Sequence, residues 1–62
     1  MIWQLHHQFP DGRTELKSEL AFHGDDPDLV REWIKGAQAD FPLPGGAVWL
    51  MLNENDPRFV RG

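Results

Sequence analysis

The sequence predicts an α+β fold, a small ββαβ(β) domain with one helix on one face of an antiparallel sheet. Three features predict it: alternating apolar residues over the first 22 positions, an amphipathic stretch after Asp26-Pro27, and an apolar run from Ala47 to Leu52. The chain has 62 residues. We expect a single domain over residues 1–62, because chains of this length can bury only one small core.

The first two elements form a predicted β-hairpin. Apolar residues alternate with polar ones from Met1 to Phe9 and again from Thr14 to Phe22, and a period of two is typical of half-buried strands. The intervening Pro10-Asp11-Gly12 favours a turn. We predict a four-residue loop closed by Phe9 and Thr14, because that register collects the large apolar side chains on one face. It pairs Trp3 with Leu20, Leu5 with Ser18, His6 with Lys17 and His7 with Leu16.

A helix is predicted to begin at Asp26-Pro27 and to end near Phe41. Aspartate is a favoured N-cap and proline a favoured first helical residue, while Pro42 disfavours a helical residue before it. The apolar positions recur every three or four residues and form one stripe. They are Leu29, Val30, Trp33, Ile34, Ala37 and Phe41.

The remaining strands complete a predicted sheet of three or four strands in the order 2-1-3-4. Ala47 to Leu52 forms the third strand. A turn rich in asparagine and aspartate follows it, and Arg58 to Arg61 forms the fourth strand in the four-stranded version of the sheet. The charged second strand then lies at an edge, where charge discourages association between edges. The apolar third strand lies inside the sheet.

Composition excludes several classes of protein. The chain has 10 acidic and 6 basic residues and a net charge of −4, which argues against general nucleic-acid binding. It contains no cysteine, so disulfides and thiolate metal sites are impossible. The apolar runs are too short to cross a membrane, and Met1 to Gln8 does not resemble a signal peptide. We therefore expect a cytoplasmic protein with no cofactor and no membrane association.

The third strand predicts a binding surface, because it is apolar on both faces whereas one helix covers only one face. We assign Val48, Leu50 and Leu52 to the helix side. The open face then carries a predicted partner-binding surface of Trp49, Met51 and Ile2, with His6 and Lys17 at its rim. Tryptophan and methionine are enriched in the cores of protein interfaces. The alternative interpretation is that Trp49 lies flat under neighbouring side chains or C-terminal residues.

The leading hypothesis is thus a non-enzymatic interaction or accessory module that binds itself or another protein. One alternative is a nucleic-acid-associated regulator that uses Arg58, Arg61 and Arg13. A second is a weak metal-dependent activity at His23 and the cluster Asp25 to Asp28, although the ligand spacing of zinc or calcium sites is missing. No residue is assigned as a metal ligand. None is assigned as catalytic either, because the only serine, Ser18, is predicted to face the core.

Overall fold

Strand β1 (Ile2–Gln8) is the middle strand of a three-stranded antiparallel sheet in the computed structural model, which describes residues 1–24 and 26–62. Strand β2 (Thr14–Ala21) pairs with one side of β1, and strand β3 (Val48–Asn53) pairs with the other. Helix α1 (Pro27–Asp40) separates β2 from β3 in sequence. The ββαβ arrangement and the order β2-β1-β3 confirm the predicted fold class.

The predicted fourth strand over Arg58–Arg61 does not form, and the structure has no strand after β3 in the part of the chain that it describes. Instead of lying inside the sheet, β3 is therefore an edge strand. Of the two sheets that the sequence leaves open, the three-stranded one forms, because the C-terminal residues cross a face of the sheet rather than pair along its edge.

The hairpin turn is one residue shorter than predicted. The Phe9 amide donates to the Arg13 carbonyl at 2.8 Å, and the Gly12 amide donates to the Phe9 carbonyl at 2.9 Å. Gly12 has a φ of 90°, a left-handed conformation that suits glycine in a three-residue hairpin loop. The Arg13 amide also donates to Asp11 Oδ1 at 3.0 Å. The loop thus closes at Phe9 and Arg13 instead of at Phe9 and Thr14.

A β-bulge absorbs the difference between this turn and the predicted register. In the half of the hairpin far from the turn the predicted pairs are confirmed, with Trp3 opposite Leu20 and Leu5 opposite Ser18. The register shifts between Leu5 and His6, so that His6 lies opposite Leu16 and Lys17 lies opposite no residue of β1. His7 accordingly lies opposite Glu15. A bulge allows each end of the hairpin to keep the register that its own residues favour.

Helix α1 begins and ends where the sequence predicts. The Asp26 carboxylate accepts hydrogen bonds from the amides of Asp28 and Leu29 at 3.1 and 3.2 Å, and Pro27 is the first helical residue. Phe41 is the C-cap, and its amide donates to the Ala37 carbonyl at 2.9 Å. The predicted N-cap and the predicted end before Pro42 are both confirmed.

Two side-chain hydrogen bonds join the helix to the sheet. Trp33 Nε1 donates to Ser18 Oγ at 2.8 Å. His7 Nε2 lies 3.0 Å from the Phe41 carbonyl, which can only accept, so this ring nitrogen carries the proton. His7 is 3 % exposed, so this hydrogen bond is formed by a core histidine. The helix-covered face of the sheet therefore contains the odd-numbered side chains of β1.

The side-chain assignment predicted for β3 is wrong. Leu5 lies opposite Met51, and His7 lies opposite Trp49, with ring centroids 4.5 Å apart. Because directly opposed side chains share a face, Trp49 and Met51 lie on the helix side. The alternate residues of β3 lie on the second face with the even-numbered residues of β1; they are Val48, Leu50 and Leu52. The prediction failed because the sequence does not specify how β3 pairs with β1.

The buried core is small and includes one residue from the C-terminal part of the chain. The buried apolar side chains in the described part of the chain are Leu5, Ala37, Leu52 and Phe59. Four apolar residues of the predicted strands and helix are more than a third exposed: Leu16, Leu29, Phe41 and Val48. The apolar surface of this fold is therefore only partly covered.

Two glycines should respond in opposite ways to alanine. Gly36 lies in α1 with open space where a Cβ would be, so Gly36→Ala should stabilise the protein by about 0.5–1 kcal/mol through helix propensity. Gly12→Ala should destabilise it by about 1 kcal/mol, because an L-residue disfavours the left-handed conformation. Urea unfolding followed by circular dichroism measures both, and an equal response of the two variants would contradict the turn described above.

Candidate interaction surfaces

The C-terminal segment (residues 57–62) covers part of the second face of the sheet, and the side chain of Gln4 holds it there. Gln4 Nε2 donates to the Val60 carbonyl at 2.8 Å, and the Val60 amide donates to Gln4 Oε1 at 2.9 Å. Gln4 is 0 % exposed. Its side-chain amide thus binds the backbone of Val60 as a neighbouring strand would, with one donor and one acceptor.

The same amide makes two further hydrogen bonds. Gln4 Nε2 donates to Glu19 Oε1 at 2.8 Å, and His6 Nε2 lies 2.9 Å from Gln4 Oε1. The carboxylate of Glu19 and the carbonyl of Val60 can only accept, which fixes the orientation of the amide. Gln4 Oε1 is then an acceptor, and His6 Nε2 carries the ring proton.

The environment of His6 favours the neutral form of its imidazole ring. Its side chain is 0 % exposed, and Nδ1 is buried without a hydrogen-bond partner among the residues described. Burial, and to a smaller extent the positive charge of Arg58, lower the pKa of His6. Neither Glu19, which accepts from Gln4, nor Asp56, which accepts from Arg58 at 3.4 Å, forms a hydrogen bond or ion pair with His6. Protonation would therefore place an uncompensated charge beneath the C-terminal segment.

The structure does not bring the predicted partner-binding residues together on one open face. Trp49 and Met51 lie on the helix side, whereas His6 lies on the second face beneath the C-terminal segment. Ile2 belongs to the middle strand, and its amide donates to the Glu54 carboxylate at 3.3 Å. Lys17 lies at the bulge of β2 with its ammonium 3.5 Å from Glu15. Because His6 is fully buried, it cannot form the rim of a surface.

A different surface, the free edge of β3, emerges from the backbone hydrogen bonds. The Glu54 amide donates to the Ile2 carbonyl at 3.0 Å. Hydrogen-bonding direction alternates along an antiparallel strand, so Leu50 and Leu52 also direct their N–H and C=O groups toward β1. Trp49 and Met51 direct theirs away from β1, toward a side where the described residues provide no further strand.

This edge is apolar, whereas the opposite edge of the sheet is charged. The five residues from Val48 to Leu52 carry no charge, and Val48 and Met51 are 55 % and 43 % exposed on opposite faces. Strand β2 instead contains Glu15, Lys17 and Glu19 as well as the bulge. Charges and bulges protect an exposed strand against pairing with another chain. Only the β2 edge has that protection.

An apolar groove adjoins the same strand on the helix side. It lies between the first turns of α1 and the sheet, with a volume of about 420 Å³. Its apolar lining includes Met1, Trp3, Phe22, Pro27, Val30 and Met51. Met51 therefore belongs both to this groove and to the free edge.

The arginines of the nucleic-acid alternative already have partners within the chain. Arg58 Nε lies 3.4 Å from Asp56, and the Arg61 guanidinium donates to the Glu54 carbonyl and lies over the Phe59 ring. The Arg13 guanidinium lies 4.5 Å from the centre of the Phe9 ring. The hydrogen bonds from Arg58 also lower the pKa of Asp56.

The acidic residues of the metal alternative serve the helix. Asp26 caps α1, and Asp28 lies 2.9 Å from Arg31, while Asp25 lies outside the described residues. In the portion of the chain with described structure, no group of three or more histidine, aspartate or glutamate side chains is arranged to hold a metal ion.

Comparisons with known proteins give no relative for this chain: no family model, curated protein or solved structure shows significant similarity. No helix within residues 1–24 and 26–62 has the length and apolar character needed to cross a membrane.

The Gln4 contact can be tested by Gln4→Met, which keeps most of the side-chain volume but leaves the backbone groups of Val60 without partners. We expect a loss of about 2 kcal/mol in the free energy of unfolding, because buried polar groups would lose their hydrogen bonds. Gln8→Met is the matched control, since Gln8 lies on the same face of β1 and is partly exposed. Equal losses in the two variants, measured by urea unfolding, would contradict the role of Gln4.

Acid should destabilise the protein through His6. The pKa of His6 is lower in the folded state than in the unfolded state, so His6 binds a proton more readily when the chain is unfolded. The free energy of unfolding should therefore decline as the pH falls below about 6.5, and His6 should have no such effect above that pH. Urea unfolding between pH 7 and pH 5.5 measures the decline. His6→Gln, which keeps a donor for Gln4, should flatten it, whereas His23→Gln at an exposed position should not. A decline that persists in His6→Gln would assign it to another group.

Proposed function

We propose that this chain is a non-enzymatic interaction module that binds an extended polypeptide segment by strand addition at the free edge of β3. The observation that carries the proposal is the uncharged edge strand whose Trp49 and Met51 backbone groups point away from β1. Strand addition is a common mode of peptide recognition, in which backbone hydrogen bonds give affinity and side-chain contacts give specificity. Trp49 and Met51 thus remain proposed binding residues, at an edge instead of on an open face.

The chemistry of the edge indicates the kind of segment that it would bind. Each net backbone hydrogen bond contributes about 1 kcal/mol, so backbone pairing alone gives weak binding. Val48 and Met51 offer apolar area on opposite faces of the strand. An added strand would therefore need apolar residues on both of its own faces, and its ends could be polar.

The other proposals receive less support from the contacts within the chain. Arg58 and Arg61 bind the turn between β3 and the C-terminal segment, and the net charge of −4 would repel a polyanion. Asp26 and Asp28 stabilise α1. A cytoplasmic location remains part of the proposal because the chain lacks cysteine.

A short synthetic strand tests the proposal. The probe is a peptide of five alternating valines and isoleucines flanked by lysines, and the control peptide has proline at the central position. On addition of the probe, the amide hydrogens of Trp49 and Met51 should exchange roughly tenfold more slowly or better, because they acquire hydrogen bonds. The amides of Leu50 and Leu52 should change little, since they already face β1.

The proline peptide should leave all four exchange rates unchanged, because proline disrupts the added strand. Met51→Lys should weaken binding of the probe, whereas Leu16→Lys, an equally exposed apolar position on the β2 edge, should not. Absence of binding at millimolar peptide, or protection confined to residues outside β3, would overturn the proposed function.

A further inference from the structure

We infer that the strand that occupies the free edge is β3 of a second copy of this chain, paired antiparallel about a two-fold axis at Leu50. The inference rests on the proposed function, because it names the partner of the same edge. Two copies would form one continuous six-stranded sheet in which both apolar edges are paired.

The backbone pattern of β3 is compatible with this symmetry. Two-fold pairing centred on Leu50 places Trp49 of one copy opposite Met51 of the other. These are the two positions whose N–H and C=O groups point away from β1. In each copy the outward groups of both residues can then form antiparallel hydrogen bonds with the other copy. A symmetric contact of this kind closes after two subunits.

The side chains are also self-complementary in this register. On the helix side Trp49 meets Met51, a contact between an aromatic ring and a thioether that is favourable. On the second face Leu50 meets Leu50, and Val48 meets Leu52. A shift of the axis to Met51 would instead place Val48 opposite Glu54 and Trp49 opposite Asn53. The register at Leu50 therefore matches apolar residues with apolar residues from Val48 to Leu52.

Charge favours the antiparallel arrangement as well. Glu54 follows β3, whereas residues 42–47, which precede β3, carry no charge. Antiparallel pairing places Glu54 of each copy beside this uncharged segment of the other copy. Parallel pairing would place the two Glu54 carboxylates side by side, which is unfavourable. The net charge of −4 per chain acts over longer distances and is screened by salt.

The outer edges of a β3 dimer would also be better protected against further pairing than the free β3 edge of the monomer. Its two outer strands would both be β2, with Glu15, Lys17, Glu19 and the bulge. Such strands resist further edge-to-edge pairing, so association would stop at two copies. Pairing would also cover exposed apolar area at Val48 and Met51 and would enlarge the core of a small domain.

Sedimentation velocity of the full chain between about 1 μM and 1 mM tests the inference. We expect conversion of a 7.2 kDa monomer to a dimer as the concentration rises. Met51→Lys should raise the dissociation constant by roughly a hundredfold, because each of the two copies loses a methionine side chain that the dimer interface would bury. Leu16→Lys is the matched control and should leave the dissociation constant unchanged.

Hydrogen exchange of the wild-type chain provides a second readout that needs no variant. Protection of the Trp49 and Met51 amides should rise with concentration in parallel with dimer formation. A chain that remains monomeric at 1 mM but protects these amides with the peptide probe would overturn the second copy as partner and leave the proposed function standing. A dimer whose Trp49 and Met51 amides exchange as fast as in the monomer would overturn the β3 interface.

Discussion

The side-chain amide of Gln4 is the contact on which the second face of the sheet depends. A single helix covers only one face, and the C-terminal segment covers part of the other because Gln4 binds both backbone groups of Val60. The amide is buried and also bonded to Glu19 and His6. Since buried amides without partners are costly, each member of this network requires the others to be in place.

This contact also explains why β3 is left at an edge. The backbone groups of Val60 that could have paired with another strand are satisfied by the side chain of Gln4. The C-terminal segment therefore crosses the face of the sheet and does not extend it. An apolar strand that would be well suited to the middle of a sheet consequently has one free side, and the proposed interaction follows from that mismatch.

The sequence predicts what local chemistry determines. The hairpin strands follow from alternation, and the start of α1 follows from Asp26 and Pro27. The sequence does not predict the bulge at Lys17, which arises where the turn and the strand ends favour different registers. Nor does it predict the contact of Gln4 with Val60, because these residues are 56 positions apart. Of the candidate site, the excess apolar character of β3 was predictable, but its face and its edge position were not. The face depends on the register of β3 with β1, and the edge position depends on the distant contact of Gln4 with Val60.

Gln4 holds the C-terminal segment on the sheet, and hydrogen exchange at the Val60 amide tests this contact most directly. This amide donates to a buried acceptor, so it should exchange about a hundredfold or more slowly than the same residue in an unstructured peptide. Exchange of the Val60 amide at the rate of an unstructured chain, in a protein whose Leu52 amide remains protected, would contradict the account.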